Sequence, residues 1–210
     1  MALANYTDLQ AAIASRLHST SYTALIPDWI TLAEKSLNRV LRLSAQELET
    51  TLTATIGSRS LTLPSLFGSP IALYLTTYLP RIELEYRLPE EMQVFSSDGP
   101  AKVWTIDGSV INTDTPADQA YTYTLRYVSE FDIATTATNS LLTNYPDLYL
   151  YGALIESGND LVNINAIAMY EKRYGRALQE CLNNEHANRS LAKLTTELSG
   201  HRKSNIISGV

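Results

Sequence analysis

The sequence predicts an α+β protein: a four-helix bundle with an inserted antiparallel β-rich lobe and an extended C-terminal tail. Apolar residues recur at helical spacing before residue 49 and again after residue 133. Between these segments they alternate with period two and are separated by short turn sequences, which is typical of antiparallel strands. Because both helical segments share one apolar period, we expect their four helices to pack together and the lobe to protrude.

We therefore divide the chain into four parts. Residues 1–48 form the first half of the bundle, 49–133 the β-lobe, 134–185 the second half of the bundle, and 186–210 the C-terminal tail. With 45% hydrophobic and 18% charged residues, the chain can bury a sizeable core. No apolar run reaches the roughly 18 residues of a membrane span, so we expect no membrane partner. The single cysteine, Cys181, suits a reducing cytoplasm.

Start signals place the first two helices. Thr7 and Gln10 have the spacing of a capping box. The second helix is expected to begin at Pro27 and Asp28, because proline fits the first helical turn and an acidic side chain stabilises the positive end of the helix dipole. A short turn between the two helices makes a helical hairpin the predicted arrangement.

The β-lobe contains two predicted hairpins. Asp107-Gly108 stands between two apolar runs, which is the strongest short-range hairpin signal. The letters GSR between LTATI and SLTL indicate a second hairpin. In the last strand, alternation places four large side chains on one face, where we expect them to be buried. These are Tyr121, Tyr123, Leu125 and Tyr127.

The second helical segment repeats the same start signal. Pro146 and Asp147 predict a third helix, with Asn144 as its candidate cap, and a fourth helix follows from Ile164. On the third helix, Tyr149 points away from the residues that should face the bundle. We therefore expect Tyr149 at a packed boundary, against either the β-lobe or a neighbouring subunit.

The net charge of −6 is unevenly distributed along the chain. Residues 186–210 carry four basic side chains and one acidic one, so this tail has a charge of +3 and the remainder −9. A basic tail on an acidic body indicates docking on an acidic partner, while fraying in solution is the plainer alternative. The candidate docking residues are Arg189, Leu191, Lys193, Leu194, Leu198, Arg202, Lys203, Ile206 and Ile207.

A basic stripe is expected on the second helix, where Lys35, Arg39 and Arg42 follow at i, i+4 and i+7. A solvated helix face is its ordinary explanation. The functional alternatives are a row of ion pairs with the acidic body of a neighbouring subunit and a positive surface that faces DNA. The spacing leaves these three interpretations open.

The sequence contains no recognisable catalytic, phosphate-binding or metal-binding motif, so we expect neither enzyme activity nor a cofactor. Two alternatives remain. A carbohydrate- or host-surface-binding lobe would use Trp104 beside the Asp107-Gly108 turn. A cell-wall hydrolase, the weakest alternative, would use the carboxylate pairs Glu83/Glu85 or Glu90/Glu91.

Three segments resemble the head-to-tail adaptor (connector) proteins of short-tailed bacteriophages. They are IPDWITLAEKSLNRVLRL, PAKVWTIDGSVINTDTPADQAYTYTLRYV and LLTNYPDLYLYGALIE, and the likeness extends in the same order over most of residues 5–185. None of these motifs is catalytic. The resemblance therefore implies a structural virion protein of the head-tail neck, assembled in the host cytoplasm.

The resemblance also implies the partners of the protein. Related connectors form a ring of twelve neighbouring subunits beneath the portal protein, with the C-terminal segment reaching along the portal. The other end of the ring receives a tail nozzle or tail tube protein. Genomic DNA passes through the central channel without sequence-specific binding. Lys35, Arg39, Arg42 and Tyr149 are then candidates for the ring interface or the channel.

Overall fold

The computed structural model describes residues 3–18, 21–161 and 164–201, and it has the mixed α+β character that the sequence predicts. The helices are α1 (Tyr6–Leu17), α2 (Ile26–Val40), α3 (Ile133–Thr136), α4 (Ser140–Asn144), α5 (Pro146–Asp160) and α6 (Ile164–His201). The strands are β1 (Glu47–Thr53), β2 (Ser60–Thr62), β3 (Phe67–Leu75), β4 (Ile82–Tyr86), β5 (Val103–Asp107), β6 (Val110–Thr113) and β7 (Thr122–Ser129). Short 3₁₀ turns cover Ser44–Gln46 and Pro89–Glu91.

The chain divides into a helical unit, up to Leu43 and from Asp132 onward, and a β unit, Ser44–Phe131. The β unit contains eleven acidic and five basic residues, so its net charge of −6 equals that of the whole chain. The formal charges of the rest of the sequence sum to zero. The acidic excess therefore lies in the β unit alone.

In the helical unit, α5 is the central helix, because it contacts α1, α2, α4 and α6. Gly152 allows α2 and α5 to approach closely, since a Cβ at this position would lie only 3.1 Å from the Cβ of Ala33. The cap of α1 is Asn5, whose side chain accepts a hydrogen bond of 2.9 Å from the Asp8 N–H. The predicted cap at Thr7 is thus two residues too late.

The predicted cap of α5 is also wrong. Asn144 is the last residue of α4, and α5 follows after Tyr145 without a capping side chain. Asn139 supplies the cap one helix earlier, where its side chain accepts a 2.8 Å hydrogen bond from the Leu142 N–H. Pro146 at the start of α5 agrees with the prediction.

The β unit is a seven-stranded sheet in the order β1-β7-β3-β4-β5-β6-β2. The predicted apolar face of the last strand is confirmed, because all four of its side chains are buried. They join the core of this unit together with Trp104, Leu73, Leu84 and Ile111. Strand β4 follows the general period-two pattern only in part, since Leu84 is buried while Ile82 and Tyr86 are exposed.

Two predictions about strand pairing have different outcomes. The Asp107-Gly108 hairpin is confirmed: Asp107 pairs with Val110, and Gly108 has a φ of +60° that favours glycine. The predicted hairpin at GSR is not formed, because β1 pairs with β7 and β2 pairs with β6.

The lobe is also not wholly antiparallel, since β4 and β5 run parallel. A parallel pair needs a long crossover, which residues 87–102 supply.

The C-terminal segment differs from the extended tail that the sequence predicts. Helix α6 continues to His201. Residues 182–199 contain neither glycine nor proline, and Glu185 pairs with Arg189 one turn later at 2.8 Å. These features favour continuation of the helix, so the segment from residue 186 to His201 is helical.

Candidate functional site

One carboxylate of the candidate hydrolase pairs, Glu85, lacks the electrostatics of a general acid. Arg87 donates two 3.0 Å hydrogen bonds to Glu85 and holds the pKa of that carboxyl below its ordinary value. A general acid in glycoside hydrolysis needs the opposite shift. Glu90 and Glu91 lie exposed in the 3₁₀ turn. Among the described residues, no group of three or more His, Cys, Asp or Glu side chains could hold a metal ion.

Trp104 is a core residue of the β unit and does not present a sugar-binding surface. Its side chain is 1% exposed, its Nε1 donates a 3.2 Å hydrogen bond to the Leu84 carbonyl, and its ring packs edge-on against Tyr86 at 5.0 Å. A stacking platform for a carbohydrate needs an open ring face. The prediction of a binding role for Trp104 is therefore wrong.

Cys181 is buried, as expected for a small core residue. Burial raises the pKa of its thiol to about 11, so it stays protonated and unreactive near neutral pH. In the part of the chain that the structure describes, no helix has the length and apolar character needed to cross a membrane.

The basic stripe of α2 is partly as predicted. Lys35 and Arg39 are exposed on this helix, opposite its buried apolar side. Arg42 is exposed but lies two residues beyond the last helical residue, Val40, so it leaves the helical register. The Arg42 carbonyl accepts a 3.2 Å hydrogen bond from Nη2 of Arg189.

Tyr149 does not lie at a subunit boundary. Its side chain is fully buried in the helical unit, where its hydroxyl donates a 2.5 Å hydrogen bond to Oε1 of Glu34 and accepts a 2.7 Å bond from Nδ2 of Asn139. The side chain is thus unavailable to a neighbouring subunit or to a channel, and the prediction for this residue is wrong.

Glu34 is the centre of a buried polar network that sequence reasoning missed. Besides Tyr149, it accepts a 2.9 Å hydrogen bond from the Ile133 N–H. Glu34 belongs to α2, Tyr149 to α5 and Ile133 to the start of α3, and Asn139, bonded to Tyr149, caps α4. A single acid between Ala33 and Leu37 on the apolar side of α2 is the sequence signal for such a site. The network ties four helices together.

Burial raises the pKa of Glu34 above its ordinary value, while the hydrogen bonds from Tyr149 and Ile133 oppose this shift. Coulombic interaction with Asp132 raises it further, and Lys35 lowers it. In the window between the unfolded and folded pKa values, the folded state binds more protons than the unfolded chain. The contribution of Glu34 to stability is therefore fully present below the unfolded pKa and is lost as pH rises through the folded pKa.

A pH series tests this linkage. We expect the free energy of unfolding of Glu34→Gln minus that of the wild type to increase as pH rises across that window, because the wild type loses stability there while the amide has no proton to lose. Urea denaturation of both proteins from mildly acidic to neutral pH measures the difference. A difference independent of pH contradicts the raised pKa.

The C-terminal docking candidates lie only partly within the described residues. Arg189 pairs with Glu185 and contacts Arg42, so it packs within the helical unit. The backbone of α6 includes four further candidates, although their side chains lie outside the described ones: Leu191, Lys193, Leu194 and Leu198. Four more lie outside the described residues altogether: Arg202, Lys203, Ile206 and Ile207.

A polar cleft between α5 and α6 was not predicted. It has a volume of about 450 Å³. Tyr151 in its lining accepts a 3.0 Å hydrogen bond from Arg173 Nη1, and Arg16 lies over the Tyr151 ring at 5.6 Å. The lining carries charges of both signs, unlike the largely apolar lining of a small-molecule pocket. The lining residues are Asp147, Tyr151, Arg173, Arg176, Ala177 and Glu180.

Comparison with protein families decides where the chain belongs. The family model described as SU10 adaptor protein matches residues 4–196, which is most of the sequence. The chain belongs to the SU10 adaptor protein family. This membership confirms the resemblance to phage head-to-tail adaptors.

Two further comparisons concern individual proteins. A search of curated proteins found no match to this family member. Among solved structures, this family member is similar to a chain of the "Neck of empty GTA particle computed with C6 symmetry", with 14% sequence identity and a TM-score of 0.27. The alignment covers 70% of this chain and 76% of the other.

Proposed function

We propose that this protein is a structural head-to-tail adaptor in the neck of a tailed bacteriophage particle and that it catalyses no reaction. The family match over residues 4–196 carries this proposal. Trp104 is buried and Glu85 is paired with Arg87, so neither residue supports the carbohydrate-binding or the hydrolase alternative. Assembly takes place in the host cytoplasm, and the mature location is the virion neck.

In this proposal, adaptor subunits form a closed ring, with twelve copies as in related connectors. A head-to-tail contact between identical subunits needs two different, complementary surfaces on each one. Lys35, Arg39 and Arg42 are exposed on the helical unit and belong to one such surface. Genomic DNA passes through the ring without sequence-specific binding. The acidic β unit supports this role wherever it faces the channel, because like charge prevents adhesion to phosphates.

The ends of the ring contact different proteins. Residues 186–210 dock on the portal protein, and the opposite end of the ring receives the tail nozzle or tail tube protein. The helical conformation to His201 supports a docking mode in which a helix lies along the portal surface. We assign α1, α2, α5 and α6 as the four-helix bundle that carries this segment.

Native mass spectrometry and electron microscopy of the purified protein mixed with its cognate portal test the proposal. We expect a ring of adaptor subunits on the portal. A protein that remains monomeric in this mixture and is also missing from purified particles refutes the assignment.

A truncation tests the docking segment. We expect deletion of residues 191–210 to leave both units folded but to abolish binding to the portal. The cut after Ser190 retains Arg189, whose contacts with Glu185 and Arg42 belong to the helical unit. Circular dichroism reports on folding, and co-sedimentation with the portal reports on binding. Portal binding by the truncated protein at the wild-type level contradicts the role of this segment. Arg189→Ala in the full chain is the matched control, because it removes the Arg189 contacts while keeping residues 191–210.

A further inference from the structure

The crossover between the parallel strands β4 and β5 exposes an unusual number of large apolar side chains. Tyr86, Leu88, Val94 and Phe95 are between 45% and 58% exposed, although they lie within ten consecutive residues. We call Tyr86–Phe95 the crossover segment. Clusters of exposed apolar residues on a soluble protein commonly mark a surface that binds another protein.

This segment is fixed to the β unit at both ends. Tyr86 pairs with Trp104 across the parallel strands, and the Phe95 N–H donates a 2.9 Å hydrogen bond to the Asp114 carbonyl. Its exposed apolar side chains therefore project from an anchored backbone. Binding a partner then orders few additional residues, which lowers the entropic cost of association.

The crossover segment also carries a net negative charge, since it has two carboxylates and one basic residue, Arg87, which is paired with Glu85. Glu90 and Glu91 lie exposed at its centre, in the 3₁₀ turn. The structure shows no ion pair for either carboxylate among the described residues. A matching partner surface must combine apolar and basic side chains.

The outer side of α2 has this combination. Leu32 and Val40 are each 55% exposed, and Lys35 and Arg39 are exposed between them. Their spacing of i, i+3, i+7 and i+8 places all four on one side of the helix. We call these four residues the α2 stripe; it shares Lys35 and Arg39 with the basic stripe but contains Leu32 and Val40 instead of Arg42. Its two apolar residues favour a protein partner over DNA, because phosphates offer them no apolar contact.

We propose that the α2 stripe of one subunit docks on the crossover segment of a second copy of this chain. The pairing brings Lys35 and Arg39 near Glu90 and Glu91 and covers exposed apolar side chains on both partners. Because the two surfaces are different, the contact is head-to-tail and repeats from subunit to subunit until a ring closes. This inference rests on the proposed function, since it names the interface of the ring.

Charge reversal tests the pairing. We expect Lys35→Glu/Arg39→Glu, or Glu90→Arg/Glu91→Arg, to lower the yield of complete adaptor rings on the portal by about tenfold or more, because like charges then face each other. Combining both pairs in one chain restores the attraction, so we expect that yield to recover to within about threefold of the wild type. Native mass spectrometry of adaptor-portal mixtures measures the yields.

Matched controls lie outside both surfaces. Lys172→Glu reverses an exposed charge on α6, and Glu83→Arg does the same on β4. We expect both to assemble like the wild type. Failure of the wild type to form rings, together with its absence from purified particles, refutes the proposed function. Normal rings from the reversed-charge variants, or no recovery in the combined variant, overturn the inference while leaving that function intact.

Cysteine cross-linking tests the geometry independently. In a Cys181→Ala background, we expect Leu32→Cys/Leu88→Cys to give a ladder of disulfide-linked multimers when rings assembled on the portal are oxidised. Each single-cysteine variant should give no multimers. Dimers from a single variant indicate a two-fold contact and overturn the proposal. The proposal also fails if Glu90→Arg/Glu91→Arg leaves rings intact but prevents tail attachment, because the crossover segment then binds a tail protein.

Discussion

Replacing Trp104 with alanine is expected to lower the free energy of unfolding by about 3–5 kcal/mol, the usual cost of truncating a buried large aromatic side chain. The indole belongs to the buried core of the β unit, which also contains Leu84, Ile111 and Tyr123. Truncation leaves a cavity and also deprives the Leu84 carbonyl of its hydrogen bond from Nε1. Urea denaturation followed by circular dichroism measures the loss.

Trp104→Phe is the matched control. It retains most of the buried ring but loses the N–H donor, so we expect a cost of about 1–3 kcal/mol. The chain has two tryptophans, and the other, Trp29, belongs to α2. Fluorescence of Trp104→Phe therefore reports on the helical unit alone. A wild-type unfolding midpoint for Trp104→Ala contradicts the buried position.

The second large effect is expected at Glu34. We expect Glu34→Ala to cost about 2–4 kcal/mol, because it leaves the buried Tyr149 hydroxyl and Ile133 N–H without an acceptor and opens a cavity. Glu34→Gln keeps an acceptor oxygen and similar volume, so its cost should be clearly smaller. Denaturation of the three proteins under one condition provides the comparison.

A double-mutant cycle separates the hydrogen bond from packing. Tyr149→Phe removes only the hydroxyl, and we expect its cost to fall when Glu34 is already alanine, because the two residues share one bond. Additive costs contradict direct coupling between them. Equal costs for Glu34→Ala and Glu34→Gln show that volume alone, rather than the acceptor oxygen, determines stability at this site.

The sequence predicts those features of the fold that depend on neighbouring residues. Alternation identifies the buried face of β7, and Asp107-Gly108 identifies the one hairpin whose turn needs a glycine with positive φ. Pairing between distant strands lacks such a signal. The β1 strand therefore looked like the partner of β2, although it pairs with β7, some seventy residues later along the chain.

The misplacement of Tyr149 has a related cause. A periodic pattern distinguishes two sides of a helix that lies at a surface, but α5 contacts four other helices and buries residues around most of its circumference. Its apolar pattern therefore does not reveal which side faces outward. Glu34 lies among the apolar positions of α2, which is a sequence signal, but the partners that bind it are 99 and 115 positions away and are not predicted by local patterns.

The end of the β unit is paired with its beginning, since Glu47 lies opposite Val128 in the sheet. The partners of Glu34 in the helical unit are separated from it by 99 and 115 positions along the chain. Forming these bonds while the β unit is unfolded requires closing a long flexible loop. Once the β unit has folded, its own sheet holds the two ends of that loop together. The folded β unit therefore lowers the entropic cost of forming the Glu34 hydrogen bonds. The order of folding that costs least entropy completes the β unit before the helices around Glu34 assemble.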